Sequence, residues 1–575
     1  MSENKDFFSK KMFTRLLIPS MVSYAGLALG DVADAVVVGN KLGVTGLAAI
    51  SFALPVFMII NVIMHGFGAG GSIVYSRLLG EGRQEDARKN FNSVFAVAML
   101  VSVILAILGN VFLVPFLKVL GVNPDSVELF NTASEYIRII VSGFPFFTAA
   151  YVMNYYLRND ENERIASIGF TVANIIDVIL NIVFVLVLDM GAKGAACSTL
   201  IGQIVAITFY IPCIIGAKKN LKFSFRGFSL KNALKCFKTG FSSSVQYIFA
   251  FVFIWSANNI LIRIGSDIGV AVFEIIQNAS LFLLYIYEGV TKAAQPLIST
   301  FCGERNRMGK HKIFKYSIVS GCLMGGIGIT VIMIFPEMIC TIFGVNEPEV
   351  TMLAIRAIRI YCLAAFFAGL NILIENYQQS CEEDRNAYVI ALLRGAIVLI
   401  PVTYLFSLTG VYNFWWLYPV TEMVSFVISL LWIKFTKKGK KTDFDKVYTC
   451  TISSIQEISE AMNGVEKFCE ENEASPEQVY YVTMVFEEIC VAIMKQFNDD
   501  KDGRIQVTMI ACENEFELHI RDNAVLYNPF EQNCDDVCLS DDFDDESIGI
   551  LLIKNTAKDF FYRRYQGFNS LVVRI

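Results

Sequence analysis

The stretch LLIPSMVSYAGLALGDVADAVVVGNKLGVTGLAAIS, residues 16–51, decides the class of this chain. It is long enough to cross about 30 Å of hydrocarbon as a helix. Its only charged residues are Asp31, Asp34 and Lys41. The preceding residues 1–15 are polar and lack a small-residue cleavage site. We therefore expect the first helix to stay in the protein, with residues 1–15 as a cytoplasmic lead.

Composition divides the chain into two parts. Of its 575 residues 54% are hydrophobic, which favours a membrane protein. Residues 1–444 hold about 37 Lys and Arg against about 28 Asp and Glu, whereas residues 445–575 hold about 11 against about 26. An acidic soluble domain is therefore predicted after the membrane part. Fourteen cysteines lie scattered without a CxxC pair, so we expect neither disulfides nor a metal site.

Apolar runs of 18 or more residues recur through the first part and predict twelve transmembrane helices. These begin near residues 12, 47, 91, 130, 163, 192, 235, 268, 312, 350, 387 and 413. The breaks between them alternate between rich and poor in Lys and Arg. The positive-inside rule places the basic breaks and both termini in the cytoplasm, for a multi-pass protein of the plasma or inner membrane.

Internal repeats predict two lobes. The words LLGEGRQEDARK near residue 80 and FCGERNRMGKHK near residue 303 echo each other, as do LGVNPD and FGVNEP, always about 222 residues apart. An even number of spans separates the copies, so both halves have the same orientation. The predicted fold is an all-α membrane protein of two pseudo-symmetric six-helix bundles, residues 1–222 and 223–440, followed by a soluble α/β sandwich domain, residues 445–575.

Carboxylates inside apolar spans are expensive and therefore mark functional candidates. Asp31 and Asp34 lie three residues apart in the first span. Asp177 and Asn181 lie one helical turn apart in the fifth, so an acid and an amide share one helix face. These four residues are candidates for holding a coupling ion.

The second half offers further acids. Glu274 and Glu288 fall within spans and are candidates for the same role. Glu375 and Glu422 rank lower, because Glu375 lies close to a cytoplasmic end, where a solvated carboxylate is cheap. His65 lies beside glycines and favours a structural hydrogen bond over a proton relay.

Four aromatic residues of the second half are candidates for stacking on an organic cation, although most aromatics in spans face lipid or fill the core. They are Tyr247, Phe251, Trp255 and Tyr287.

Four words together resemble the multidrug and toxin extrusion (MATE) family of cation-coupled antiporters. They are residues 16–51, GFGAGGSIVYSRLLGEGRQEDARK, MGAKGAACSTLIGQ and AAQPLIST, and the resemblance covers residues 12–437. It implies a V-shaped pair of six-helix bundles that exports organic, often cationic, compounds in exchange for protons or sodium ions. It places the coupling acid of the first span at Asp34. The family commonly has an Asn followed by an Asp in the fifth span, and here Asp177 and Asn181 reverse that order.

The last 130 residues predict a small α/β domain. A helix begins after Ser475 and Pro476, a hairpin spans RIQVTMIACENEFELHIRD, and a further helix and two strands follow. In order, these elements resemble the histidine-kinase-type ATPase fold, and within it the anti-sigma-factor serine-kinase branch.

The nucleotide-binding boxes of that branch are eroded here. Glu487 and Glu488 remain, but Ala492 stands where the family has the magnesium-binding Asn.

In the middle box Asp522 remains while Ala524 replaces a glycine, with Tyr527, Asn528 and Pro529 completing it. In the third box only Gly549 survives, after the acidic run at residues 544–546, whose charge repels phosphate. The scaffold is retained and neither ATP nor magnesium is an expected cofactor, which leaves a regulatory or partner-binding module, or a passive appendage.

These observations favour a cation-coupled antiporter for small organic, possibly cationic, compounds, with proton or sodium as the coupling ion and no enzymatic activity. A lipid-linked sugar flippase is disfavoured by the near absence of basic residues inside the spans. A membrane-anchored signalling protein, whose tail binds a cytosolic protein, stays open. An ATP-driven pump lacks a GxxxxGK[ST] word. Nothing indicates nucleic-acid binding.

Overall fold

A computed structural model describes most of the chain. The described residues are 7–51, 53–119, 127–160, 162–215, 221, 223, 228–342, 348–437, 446–497, 502–512, 515–531 and 545–575. Some side chains within its helices lie outside the description, and those of Asp31, Asp34, Trp255 and Glu274 are among them.

The described membrane part is helical throughout. Its helices are α1 Phe7–Ser51, α2 Leu54–Gly80, α3 Gln84–Val111, α4 Leu113–Val119, α5 Val127–Ser142, α6 Phe144–Asn159, α7 Glu163–Asn181, α8 Gly191–Ile215, α9 Leu230–Gly303, α10 Arg307–Ile334, α11 Pro336–Ile342, α12 Pro348–Ser380, α13 Asp384–Leu392, α14 Leu399–Ser407, α15 Val411–Phe414 and α16 Leu417–Lys437. Two π-helical segments, Ile182–Val187 and Leu393–Ile397, follow α7 and α13.

Among the described residues nine helices are long and apolar enough to cross a membrane, or ten when the bent pair α5 and α6 counts as one span. Helix α1 and the second half of the 74-residue α9 occupy the positions of the two other predicted spans. The mostly helical membrane fold is confirmed, and the number twelve stays a prediction.

The two halves join where α2 meets α9. A Cβ on Gly80 would lie 2.3 Å from the carbonyl oxygen of Thr300, and Gly303 and the deeper pair Gly70 and Gly240 are equally crowded by backbone. Only glycine permits such an approach of two helices. Backbone contact at two levels seals the halves together on the side where α2 and α9 end, which we call the tail side.

The turns after α2 and α9 have one geometry, as the repeat predicts. In residues 80–83 and 303–306 the last amide donates to a carbonyl five residues earlier, at 2.8 and 2.9 Å respectively. The third residue has a positive φ in both turns, 73° at Gly82 and 49° at Arg305. The repeated sequence words therefore correspond to repeated structure.

The tail is a five-stranded antiparallel sheet in the order β1-β2-β3-β5-β4, with helices on one face. Its strands are β1 Val447–Ile452, β2 Ile505–Ala511, β3 Phe516–Asp522, β4 Asp559–Tyr565 and β5 Phe568–Arg574, and its helices are α17 Ile455–Glu471, α18 Pro476–Lys495 and α19 Asp545–Thr556. The predicted hairpin is β2 and β3. The predicted cap of α18 is a full capping box between Ser475 and Gln478.

Both faces of this sheet are buried. Alternate residues of β3 and β5, such as Leu518, Ile520 and Leu571, pack under α17, α18 and α19. The intervening residues turn the other way, and Val572 and Phe568 join hydrophobic clusters formed by the membrane helices. The second face is therefore the surface by which the tail contacts the membrane part.

Candidate transport site and tail interface

Asp177 and Asn181 lie one turn apart on the same face of α7, as predicted. The carboxyl-bearing side chain of Asp177 is partly buried and Asn181 is 2% exposed. Regular helix ends at Asn181, and the π segment begins directly after it. Such segments occur frequently at functional sites, since they redirect backbone groups.

The neighbouring acids of α1 are less well defined. The backbone of α1 passes beside α7, because a Cβ on Gly30 would lie 4.0 Å from the side chain of Val178. Asp31 and Asp34 follow Gly30 directly, but their side chains lie outside the described residues, as does that of Glu274 on α9. Their roles stay predictions.

His65, Tyr155, Tyr247, Glu288 and Lys292 form an inter-lobe cluster between α2, α6 and α9. Tyr247 hydroxyl and His65 Nε2 lie 2.9 Å apart, and His65 Nδ1 lies 3.0 Å from the carbonyl oxygen of residue 61. If Nδ1 carries the proton and donates to that carbonyl, Nε2 accepts from the tyrosine. The imidazole therefore ties the two halves together through a tyrosine proposed from the sequence.

The charges of the inter-lobe cluster include basic residues that sequence analysis missed. Lys292 Nζ lies 3.8 Å from Glu288 Oε2 and 4.9 Å from the centre of the Tyr155 ring. Arg158, one turn after Tyr155 on α6, is 5% exposed. Together with Arg394 on the far side of the molecule, they contradict the premise that the spans nearly lack basic residues.

A second charge cluster lies in the other half. Arg394 Nε and Nη2 donate to the two oxygens of Glu422 at 2.9 and 3.0 Å, and Arg394 Nη1 lies 3.7 Å from Glu375. Asn371 Nδ2 donates to Glu422 at 2.7 Å, and Gln246 donates to Glu375. One guanidinium thus binds two carboxylates.

The low rank given to Glu375 and Glu422 was wrong in its reason. Glu375 is 4% exposed, because α12 continues past it to Ser380 and neighbouring helices cover it. An arginine within the apolar run LLRGAIVLIP was the signal that could have revealed its partner.

Two of the proposed aromatic residues lie away from the inter-lobe cluster. Tyr287 is 1% exposed and fills space left by Gly325 and Gly369 within the second half. Phe251 is 38% exposed. Trp255 lies outside the described side chains.

In the tail, Asp522 is already satisfied by protein groups. Its Oδ1 accepts from Asn569 Nδ2 at 2.7 Å and from the Ala524 amide at 2.9 Å. Burial raises the pKa of the Asp522 carboxyl to about 6. The group that the resemblance assigns to the adenine therefore binds within the domain.

The phosphate end is also altered. A Cβ on Gly549, in the first turns of α19, would lie 2.4 Å from Glu488 Oε2, so a carboxylate stands at this helix start. Burial, followed by the nearby Glu487, raises the pKa of Glu488. Ala492, in the place of the magnesium ligand, is buried and apolar. The described residues therefore do not fit an adenine nucleotide with magnesium.

The tail contacts both halves at equivalent turns. Arg521 Nη2 donates to Glu304 Oε1 at 2.5 Å, and these side chains are 5% and 4% exposed. Arg574 donates to the backbone carbonyl of Glu81, while Val572 packs against Gly82. Glu81 and Glu304 are the second residues of the two repeated turns.

Aromatic contacts extend this interface to α1. The rings of Phe8 and Phe568 lie 5.2 Å apart, Arg504 lies 4.6 Å above Phe7, and Arg15 donates to the carbonyl of Gln566. Beneath the tail, Arg77 of α2 also pairs with Glu382, which follows α12, and so links the two halves.

Comparison with known proteins gives two family matches. The MatE family model matches residues 19–187 and 239–405, more than half of the chain, and the histidine kinase-like ATPase domain matches residues 453–575.

Individual proteins agree with the first match. The multidrug export protein MepA of Staphylococcus haemolyticus is 26% identical over 377 residues, covering 64% of this chain and 80% of its own. The probable multidrug resistance protein YoeA of Bacillus subtilis is 22% identical, covering 74% and 93%.

A solved structure agrees as well. An outward-facing MATE transporter superposes with a TM-score of 0.70 at 21% identity, covering 75% of this chain and 96% of that one. The duplicated helical fold, the buried acids and these matches show that the chain belongs to the MATE family of multidrug efflux transporters and carries a histidine kinase-like ATPase domain at its C-terminal end.

Proposed function

We propose that the protein is a proton- or sodium-coupled antiporter that exports small organic compounds by alternating access, and that its tail regulates the cycle. The observation that carries the proposal is the acid and amide pair on α7, buried at the end of regular helix. In this proposal Asp34 and Asp177 bind the coupling ion and Asn181 orients it. Asp31 lies on the same stretch of α1.

Two conformations are needed for alternating access, and the sealed tail side supports one of them. Glycine contacts between α2 and α9 and the Arg77–Glu382 pair close that side, so the substrate path opens on the other. We place the tail side in the cytoplasm of a plasma or inner membrane, because the basic loops lie there.

The tail is proposed to stabilise this closed state. Opening the tail side would separate the turn at 80–83 from the turn at 303–306, and the tail binds both. Breaking a buried ion pair such as Arg521–Glu304 is costly, since it leaves a charge without its partner. Transport would therefore require the tail to release one turn in every cycle.

Efflux from proteoliposomes tests the transport proposal. Fluorescent organic compounds of either charge would be loaded, and a proton or sodium gradient imposed without ATP. We expect gradient-driven efflux by the intact chain and none by Asp34→Asn. Absence of transport under both gradients, with the protein correctly inserted, would contradict the antiporter.

A signalling role is the second candidate, favoured by the same interface. If the bundle only senses a ligand, the ligand would release the tail to a cytosolic protein without net transport. Hydrogen exchange in β3 and β5 with and without substrate separates the two, because the sensor predicts exposure of these strands in the absence of any flux.

A further inference from the structure

Arg158 is a buried cation whose described partners are neutral. Its Nε donates to Asn154 Oδ1 at 2.8 Å and its Nη1 to Ser20 Oγ at 3.2 Å. Within the described ranges no carboxylate lies within 4.0 Å of its nitrogens. A guanidinium carries five N–H donors, so this one retains the capacity to bind an anion. Keeping such a charge at depth costs several kcal/mol unless an anion compensates it.

Lys292 supplies a second cation. Its side chain is 10% exposed, and its distance of 3.8 Å from Glu288 is too long for a hydrogen bond. Glu288 is 36% exposed and so keeps access to water. One carboxylate therefore faces two cations among the described side chains of this region. The acids of the other cluster, Glu375 and Glu422, are engaged by Arg394.

The two cations converge on one place in the fold. Lys292 lies over the ring of Tyr155, and Arg158 follows Tyr155 by one turn of α6. Arg158 also binds Ser20 of α1, and a Cβ on Gly289, one turn before Lys292, would lie 3.7 Å from the Ser20 carbonyl oxygen. Helices α1, α6 and α9 thus bring an arginine and a lysine together at the boundary between the two halves.

An apolar cleft begins one turn further along α1. Its volume is about 590 Å³, and Tyr24, Ala28, Phe282, Ile286 and Val331 are among the side chains that line it. Tyr24 follows Ser20 by one turn, and its ring lies 6.0 Å from that of Tyr285. A volume in this range suits a drug-sized molecule. The cation pair and the cleft therefore form one continuous site with a charged end and an apolar end.

We propose that this site selects amphipathic organic anions, with a carboxylate, sulfonate or phosphate held by Arg158 and Lys292 and an apolar body in the cleft. The proposal rests on the transport function above and narrows its substrate class. It differs from the cationic substrates that the family resemblance implies, because two cations outnumber the single acid at this place. Charge-assisted hydrogen bonds to both side chains would give the anion affinity and orientation.

Two probes with the same apolar body and opposite charge test this selection. Proteoliposomes containing the full chain would be given 1-pyrenesulfonate or 1-pyrenyltrimethylammonium under an imposed proton or sodium gradient, with protein-free liposomes as the background. We expect gradient-driven transport of the sulfonate. Lys292→Met should slow it about tenfold, the loss of one charge-assisted hydrogen bond. Lys292→Arg, which keeps the charge, should restore it, and Lys89→Met on the exposed start of α3 should leave it unchanged.

Each outcome is decisive. Transport of the ammonium compound alone would overturn the anion site and leave the antiporter standing. Equal transport of the sulfonate by Lys292→Met and by the native chain would overturn the role of the cation pair. Transport of neither probe, with a monodisperse and inserted protein, would contradict the proposed function itself. Arg158→Lys provides a second variant that retains the charge if Lys292→Met fails to fold.

Discussion

Helix α7 and the helix pair α13 and α14 begin about 220 residues apart and correspond in the repeat, yet they carry opposite charges. The first bears Asp177 beside Asn181, and the second bears Arg394. Both are interrupted by a π segment. In the second half the arginine is neutralised by Glu375 and Glu422, so no net charge is left to attract an ion. Duplication preserved the backbone irregularity, while only the first half kept an acid for ion binding.

The strongest test of this contrast removes the acid from α7. Asp177→Asn should reduce gradient-driven efflux to the background of protein-free liposomes, because the coupling ion loses its charged ligand. The double variant Asp177→Asn with Asn181→Asp moves the acid by one turn, into the order that the family commonly shows. We expect it to recover transport. Native rates in the single variant would contradict ion binding at α7.

The arginine of the second half should matter for stability instead. Arg394→Gln leaves two buried carboxylates without their cation, which should lower the free energy of unfolding by about 3–5 kcal/mol. Thermal unfolding in detergent measures this. Adding Glu422→Gln removes one of the repelling charges and should recover part of the loss. A recovery of zero would show that Arg394 acts through other contacts.

The two repeated turns offer a smaller, matched comparison. Glu304→Gln breaks the buried pair with Arg521 and should weaken tail docking by about 2–5 kcal/mol. Glu81→Gln, at the equivalent position, should cost no more than about 1 kcal/mol, because its side chain is 23% exposed and the tail binds its backbone carbonyl. Hydrogen exchange of β3 and β5 measures both, and equal effects would contradict an asymmetric grip.

Opposite environments also distinguish Arg521 from its neighbour Asp522 on the other face of β3. Burial raises the Asp522 pKa from 3.8 to about 6, so the folded tail binds a proton that the unfolded chain releases. This stabilisation is full below about pH 4 and is lost as the pH rises through 6, by at most about 3 kcal/mol. Exchange rates of β5 amides, corrected for intrinsic pH dependence, should show the loss. Asp522→Asn should abolish it.

Sequence reasoning was sufficient for the features that depend on periodicity and repetition. Long apolar runs, the repeated word near residues 80 and 303, and the alternating strands around residue 512 each specify local structure by themselves. The capping box at Ser475 is equally local. The family and both parts of the fold followed from such words.

Contacts between distant elements could not be predicted in this way. The partners of Arg394 lie on α12 and α16, and the three cations of the spans were passed over because each stands alone in its apolar run. The prediction that Glu375 is solvated failed, since its distance from a helix end says nothing about which neighbours cover it. The docking of the tail required the three-dimensional placement of Arg521 opposite Glu304.

A duplicated transporter presents the same turn twice, but a single tail must grip both copies at once. The two copies differ at their third residue, where Gly82 admits the side chain of Val572 and Arg305 does not offer the same space. The complex can therefore form in only one orientation and with one tail for each pair of lobes. A fused domain of this kind gives the two lobes different mechanical loads, so that a pseudo-symmetric machine opens with a fixed leading half.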